Sequence, residues 1–94
     1  MTICTLASAF GKHVVPHGHS IHAALHVIAA QSPAVCPFAE FLLRAQQSKQ
    51  HFFSERLWPE GGSIALPTAP GLGLGIKAET IDRRDEVGVV SAAR

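Results

Sequence analysis

Two side chains of this sequence have the types and setting of a proton-transfer site. His17 follows the apolar segment 14–16, and Glu40 lies within the apolar run of residues 35–43. An imidazole titrates near neutral pH, so His17 can act as a general base or acid. A carboxylate among apolar neighbours needs a partner, or its pKa rises. His17 and Glu40 are therefore the candidate catalytic residues. The alternative is that each is a polar residue at the end of a strand, reaching water.

The elements around this pair alternate between helix and strand. Apolar residues in 3–10 repeat with helical spacing, and residues 20–30 form a second helix that is apolar nearly all round. Residues 13–16 predict a short strand that Pro16 ends, and residues 35–43 predict a strand covered on both faces. This order of elements is typical of an α/β fold with parallel strands.

Parallel strands end at the same face of a sheet or barrel, where barrel active sites are built. His17 and Glu40 should then open onto one shared cavity, with a helical crossover between them. Beyond residue 44 the chain becomes polar and rich in turn-forming residues. Residues 44–51 predict a short helix or loop, and residues 58–62 predict a turn.

Composition narrows the classes of protein that this chain can be. It has 94 residues, 47% of them hydrophobic and 16% charged, and a net charge of +1, which offers no basic surface for nucleic acid. A chain this short has much surface to cover, and one this apolar needs something to pack against. The two cysteines, Cys4 and Cys36, are too few for a disulfide framework and are predicted to be buried and reduced. No apolar run is long enough to cross a membrane, and we predict a cytoplasmic protein.

Four histidines leave a second chemistry open. His22 and His26 stand four residues apart on one helical face, and His17 and His19 lie just upstream. Such spacing can ligate a metal, although the pattern matches no closed zinc motif. A small His-rich metal-binding module is therefore one alternative, and a structural piece that docks on a partner through apolar faces is another.

Four strings of residues carry a resemblance to a known family. They are Val-Val-Pro-His-Gly at 14–18, Ala-Ala-Leu-His-Val-Ile-Ala-Ala at 23–30, Pro-Phe-Ala-Glu-Phe at 37–41 and Leu-Pro-Thr-Ala-Pro-Gly-Leu-Gly at 66–73. In this order they resemble the C-terminal part of the mandelate racemase and muconate lactonizing enzyme family of the enolase superfamily. The Pro-His-Gly form is similar to the acid-sugar dehydratase branch, and the resemblance covers about residues 2–82.

The resemblance implies a fragment of a modified TIM-type (β/α) barrel with a separate capping domain. Residues 1–43 would be the last two helix–strand units, residues 44–82 would cross back toward the absent capping domain, and residues 83–94 would be a disordered tail. In the family, the histidine that corresponds to His17 is a general base or acid. The residue at position Glu40 hydrogen-bonds the substrate carboxylate or enediolate.

The same resemblance implies a truncated remnant of a sugar-acid dehydratase. Such an enzyme removes the proton α to a carboxylate with the help of Mg²⁺ and then loses the β-hydroxyl. A racemase or epimerase remnant is the alternative within the superfamily. The strands that bear the family's Mg²⁺ ligands have no counterpart here, so this chain alone is expected to bind no Mg²⁺ and to be inactive. The expected partners are a sugar acid or other carboxylate substrate and either a missing N-terminal part or further copies of the chain, with no nucleic acid or membrane.

Overall fold

The computed structural model describes residues 1–88, the side chain of Ser20 excepted. Its α-helices are α1 (Thr2–Ala9), α2 (Ile21–Ala29) and α3 (Leu43–Lys49). Short 3-10 turns cover Gly18–Ser20, Gln50–Phe52 and Ala78–Thr80. Within the described residues, β pairing consists of two isolated antiparallel bridges, Phe53 with Ile76 and Glu60 with Ser63.

Both helices predicted from apolar periodicity are confirmed. Helix α1 ends at Phe10 as its C-cap, and Gly11 then adopts a left-handed φ of 60°, a conformation that glycine reaches without steric cost. Helix α2 ends at Ala29, four residues before the turn that begins at Pro33. The crossover between His17 and Glu40 is therefore helical, as expected.

The strands predicted at residues 13–16 and 35–43 are not formed in the described part of the chain. Both segments are mostly irregular, Val35 lies in a turn and Leu43 already begins α3. One backbone hydrogen bond joins them, from the Val14 N–H to the Val35 carbonyl oxygen over 2.8 Å. A strand exists only where a neighbour completes a ladder of such bonds. One bond between these segments does not make a ladder.

The polar segment after residue 43 folds locally. Helix α3 and the following 3-10 turn occupy most of the region predicted as a short helix or loop. The turn predicted at residues 58–62 is confirmed. Glu60 and Ser63 exchange backbone hydrogen bonds of 2.8 and 3.0 Å, and Gly61 and Gly62 between them have φ of 56° and 80°. Two consecutive positive φ values are the requirement of a type I′ turn.

Two small hydrophobic clusters form the core, with α2 between them. One contains Cys4, Val35 and Cys36, and α2 contributes Val27 and Ile28 to it. Helix α2 also supplies Ile21 and Leu25 to the other cluster, which they form with Leu57. This double contact explains why α2 is apolar nearly all round. Both cysteines are buried free thiols, as predicted.

The apolar stripe of α1 faces outward. Ile3, Leu6 and Phe10 are 72%, 61% and 71% exposed, whereas a helix of a complete domain normally buries such a stripe. Within residues 1–88, no helix is both long and apolar enough to cross a membrane. The predicted disordered tail, residues 83–94, lies partly outside the described residues, and the predicted division into segments stays a prediction.

Candidate active site

The fold brings His17 and Glu40 into direct contact. The Nδ1 atom of His17 lies 2.7 Å from Oε2 of Glu40, although the two residues are 23 positions apart. His17 directly precedes the turn that leads into α2, and Glu40 lies in the irregular segment before α3. Their side chains are 66% and 39% exposed, so the pair is open to solvent.

Glu40 is held by a backbone donor as well. The Gly18 N–H donates to the same Oε2 atom over 2.7 Å. This hydrogen bond is the largest cause that lowers the pKa of Glu40. Desolvation opposes it, and the hydrogen bond from His17 and the charges of His17 and His19 lower the pKa further. The sequence had suggested that apolar neighbours raise this pKa unless a partner offsets them. Because the partners are present, Glu40 is a carboxylate near neutral pH.

Only glycine fits at position 18. A Cβ atom there would lie 2.3 Å from the carbonyl oxygen of Glu40 and 2.9 Å from its carbonyl carbon. Both atoms belong to the backbone, so neither can move aside as a flexible side chain would. The missing side chain of Gly18 thus allows its N–H to reach the Glu40 carboxylate.

Two buried glutamines of the α3 region fix the Gly18 turn. The Gln46 side-chain amide donates to the Gly18 carbonyl oxygen over 2.6 Å, and the Gln50 amide donates to Gln46 Oε1 over 3.2 Å. Gln50 also exchanges two hydrogen bonds with the backbone of Leu57. Gln46 and Gln50 are 1% and 4% exposed. Sequence reasoning missed them because they lie in a polar segment; their spacing of four residues is the one signal that marks a common face.

Cationic and aromatic groups flank the pair on the His19 side. The rings of His17 and His19 lie 5.2 Å apart. The Lys49 ammonium contacts Nδ1 of His19 and donates to the His19 carbonyl oxygen over 3.0 Å. The charge of His19 adds to that of His17 in favouring the ionised form of Glu40.

His17 and Glu40 line none of the four best-formed cavities of residues 1–88, so the cavity predicted for them stays a prediction. A cavity of about 450 Å³ begins beside them, and neither residue lines it. Its walls come from α2, α3 and the segments after them: His19, His22, Ala23, Gln46, Lys49, Phe52, Phe53, Leu72 and Leu74. The physical reason is that the side chains of His17 and Glu40 are 66% and 39% exposed, so the pair lies on an open surface and not in a concave site.

The four histidines proposed as a metal module do not converge. His22 is 7% exposed and packs edge-on against Phe53, with ring centroids 5.1 Å apart. Burial lowers the pKa of His22, and the nearby charge of His26 lowers it further. His26 instead contacts the Leu72 carbonyl oxygen over 3.3 Å. Across residues 1–88, no group of three His, Cys, Asp or Glu side chains could hold a metal ion.

Mg²⁺, the metal that the resemblance implies, also finds too few ligands among the described residues. Mg²⁺ takes several oxygen ligands in near-octahedral geometry. Glu40 is the carboxylate of the candidate site, and its Oε2 atom is already occupied by two donors. The donor set of the described residues therefore does not fit Mg²⁺.

The geometry fixes what His17 can do chemically. An ionised Glu40 only accepts hydrogen bonds, so the proton between the two side chains belongs to Nδ1 of His17. The other ring nitrogen, Nε2, then carries a free lone pair on a ring that is mostly exposed. Such an imidazole can take a proton at Nε2, and the resulting cation is stabilised by the carboxylate behind it.

Comparisons with known proteins place the chain in a family. The chain is 38% identical over 88 residues to an L-rhamnonate dehydratase of Saccharopolyspora erythraea, covering 87% of this chain and 22% of that protein. It is 33% identical over 89 residues to a D-galactarolactone cycloisomerase of Agrobacterium fabrum, covering 84% of this chain and 24% of that protein. It thus spans under a quarter of the length of these curated relatives.

No solved structure matches the chain. The family model described as "Enolase C-terminal domain-like" matches residues 1–80. That family implies a fold related to the TIM barrel. The two relatives, the dehydratase and the cycloisomerase, belong to the acid-sugar branch of the enolase superfamily. The chain belongs to the enolase C-terminal domain-like family.

Proposed function

We propose that this chain supplies the proton-transfer pair of an acid-sugar dehydratase, with His17 as the base. The observation that carries the proposal is the 2.7 Å contact between His17 Nδ1 and Glu40 Oε2. It leaves Nε2 of His17 basic and accessible, as abstraction of a proton α to a carboxylate requires.

His17 would act twice in the reaction. Its Nε2 atom first takes the α-proton of the substrate, and Glu40 stabilises the imidazolium that forms. The same protonated nitrogen can then deliver a proton to the departing β-hydroxyl, which leaves as water. Returning the proton restores the neutral imidazole, so the dehydration has no net change at His17.

Glu40 in this state suits a hydroxyl better than a carboxylate of the substrate. Two donors keep it ionised, so it accepts hydrogen bonds from sugar hydroxyls and repels an anion. Binding the substrate carboxylate, the role implied by the resemblance, would require a proton on Glu40, which its lowered pKa disfavours. We therefore assign Glu40 to the orientation of His17 and to substrate hydroxyls.

The chain is proposed to act as a remnant or part of a longer catalytic domain, and to be inactive alone. Residues 1–43 would be the last two helix–strand units of the barrel, in which residues 13–16 and 35–43 would become strands only once neighbouring strands pair with them. Residues 44–82 would return toward the capping domain. The exposed stripe of α1, formed by Ile3, Leu6 and Phe10, supports packing against further structure. Any Mg²⁺ would have to be held by residues outside this chain, where it would supply electrostatic stabilisation of negative charge. A cytoplasmic location stays a prediction.

A racemase or epimerase is the second candidate within the superfamily. It is favoured by the similarity to a cycloisomerase, which is nearly as strong as the similarity to the dehydratase. Both reactions begin with the same proton abstraction, so His17 keeps its role in either. The two candidates differ in whether a β-hydroxyl is lost.

A chimera tests the proposal directly. Residues 1–80 would replace the aligned region of the L-rhamnonate dehydratase, and the turnover of L-rhamnonate would be measured. We expect His17→Asn in the chimera to lower kcat by about 10²–10⁴-fold, the usual contribution of a general base. His13→Asn is the matched control because His13 is exposed and lies outside the pair.

Two results would contradict the proposal. Equal kcat values for the His17→Asn and His13→Asn chimeras would remove His17 from the chemistry. Turnover of a sugar acid by the isolated 94-residue chain would refute its inactivity. If the chimera does not fold, the pKa of Glu40 in the chain itself, followed by NMR, reports whether the pair forms: His17→Asn should raise it, and His13→Asn should not.

A further inference from the structure

The two cysteines of the chain face each other inside the core. The sulfur atoms of Cys4 and Cys36 lie 4.0 Å apart, and the residues are 32 positions apart in sequence. They are 3% and 4% exposed. A disulfide needs about 2.05 Å between the sulfurs, a closure that rotation of side chains can supply when the two residues already touch.

The proposed function uses neither thiol, and packing alone does not require two cysteines here. Val14, Val27 and Ile28 surround the pair, and any small apolar side chain would fill the same space. The chain has two cysteines in all. That both meet in one cluster, from segments far apart in sequence, points to a covalent role.

Access to the thiols is controlled by α1. Burial raises the pKa of the Cys36 thiol, and the hydrogen bond with Cys4 raises it further, so the reactive thiolate is scarce in the closed state. Cys4 lies in the first turns of α1, whose Ile3, Leu6 and Phe10 side chains have few partners. A helix with so little buried surface opens locally at low cost, which exposes both sulfurs together.

We propose that Cys4 and Cys36 form a reversible intramolecular disulfide that ties α1 to the segment leading to Glu40. A small-molecule disulfide such as oxidised glutathione is the oxidant. The Cys4 thiolate attacks it, forming a mixed disulfide and releasing one glutathione thiolate. The Cys36 thiolate then attacks the Cys4 sulfur, which closes the protein disulfide and releases the second glutathione. The two protons lost by the cysteines end on the two glutathiones.

The bond would stabilise the arrangement of the site without touching it. The loop that it closes contains His17 and all of α2, and Glu40 follows four residues after Cys36. Cross-linking a loop of this length removes many conformations from the unfolded chain. The oxidised protein should therefore unfold at a higher temperature than the reduced one.

The experiment titrates the full 94-residue chain with mixtures of reduced and oxidised glutathione. Free thiols are counted and the mass is measured after acid quenching. We expect loss of both thiols in one step, with no added glutathione and no dimer, and a thermal midpoint higher by roughly 10 °C. The effective concentration of one thiol toward the other should be at least ~10-fold higher in native buffer than in urea.

Cys4→Ser and Cys36→Ser are the matched controls. Each should keep one thiol that takes up a single glutathione or stays free, with no rise in the thermal midpoint. Mixed disulfides on both cysteines of the unsubstituted chain, a disulfide between two chains, or equal effective concentrations in buffer and urea would each overturn the proposal. None of these outcomes depends on whether His17 is a catalytic base.

Discussion

Replacing Gly18 with alanine tests the central geometric claim about the candidate site. The new Cβ atom would lie 2.3 Å from the Glu40 carbonyl oxygen, well inside van der Waals contact, and the obstacle is backbone. The turn and the Glu40 segment must therefore separate. Overpacking of this kind destabilises a fold by about 1–3 kcal/mol. In a chain of this size, each kcal/mol corresponds to a fall of roughly 4–8 °C in the thermal midpoint.

The same substitution should alter the ionisation of Glu40. Separation of the backbones lengthens the 2.7 Å hydrogen bond from the Gly18 N–H, which is the largest cause of the lowered pKa. The pKa of Glu40 should then move up toward its ordinary value of 4.5. Thermal unfolding measures the fall in the thermal midpoint, and an NMR titration of the Glu40 side chain measures the change in its pKa.

Gly88→Ala is the control for this experiment. A Cβ atom at position 88 meets nothing within 4 Å, so its effect on stability should stay within about 0.5 kcal/mol. If Gly18→Ala and Gly88→Ala have the same thermal midpoint, and the pKa of Glu40 is the same in both, the close approach at Gly18 does not exist in solution.

Three further substitutions probe the surroundings of the pair. Glu40→Gln should lower the thermal midpoint near neutral pH but not at low pH. The lowered pKa of Glu40 contributes stability that is fully present above pH 4.5 and is lost as the pH falls from there through the lowered pKa. A difference in midpoint that does not change with pH would contradict this. The lowered pKa of His22 should make the protein less stable as the pH falls below 6.5, and His22→Phe should remove this loss. An unchanged dependence of stability on pH would count against a buried neutral imidazole. Gln46→Ala leaves the Gly18 carbonyl oxygen without its side-chain donor and should cost about 1–3 kcal/mol in urea unfolding, whereas exposed Gln47→Ala should cost little; similar losses for both would refute the glutamine network.

Elements whose cause lies within a few residues were predictable from the sequence. The apolar spacing of residues 3–10 and 20–30 predicted α1 and α2, because helical hydrogen bonds join residues four apart. The Gly61–Gly62 turn was predictable because these two positions must adopt positive φ. The four strings that carry the resemblance lie in residues 14–73 and were sufficient to identify the family that the comparisons show.

Elements that depend on distant partners were not predictable in the same way. Residues 13–16 and 35–43 have the composition of strands, but a strand needs a neighbouring ladder, and a single hydrogen bond joins these segments. The buried role of Gln46 depends on a carbonyl group 28 residues away. A polar segment does not reveal such a partner.

The sequence by itself determined which residues were candidates, since a histidine after a short apolar segment and a carboxylate within an apolar run are unusual in any fold. The tertiary structure decided how they are related. It placed His17 against Glu40, gave the carboxylate a second donor from Gly18, and brought Cys4 to Cys36. The physical reason is that a hydrogen bond or a pKa depends on distances of a few ångströms, and residues far apart in sequence acquire such distances only when the chain folds.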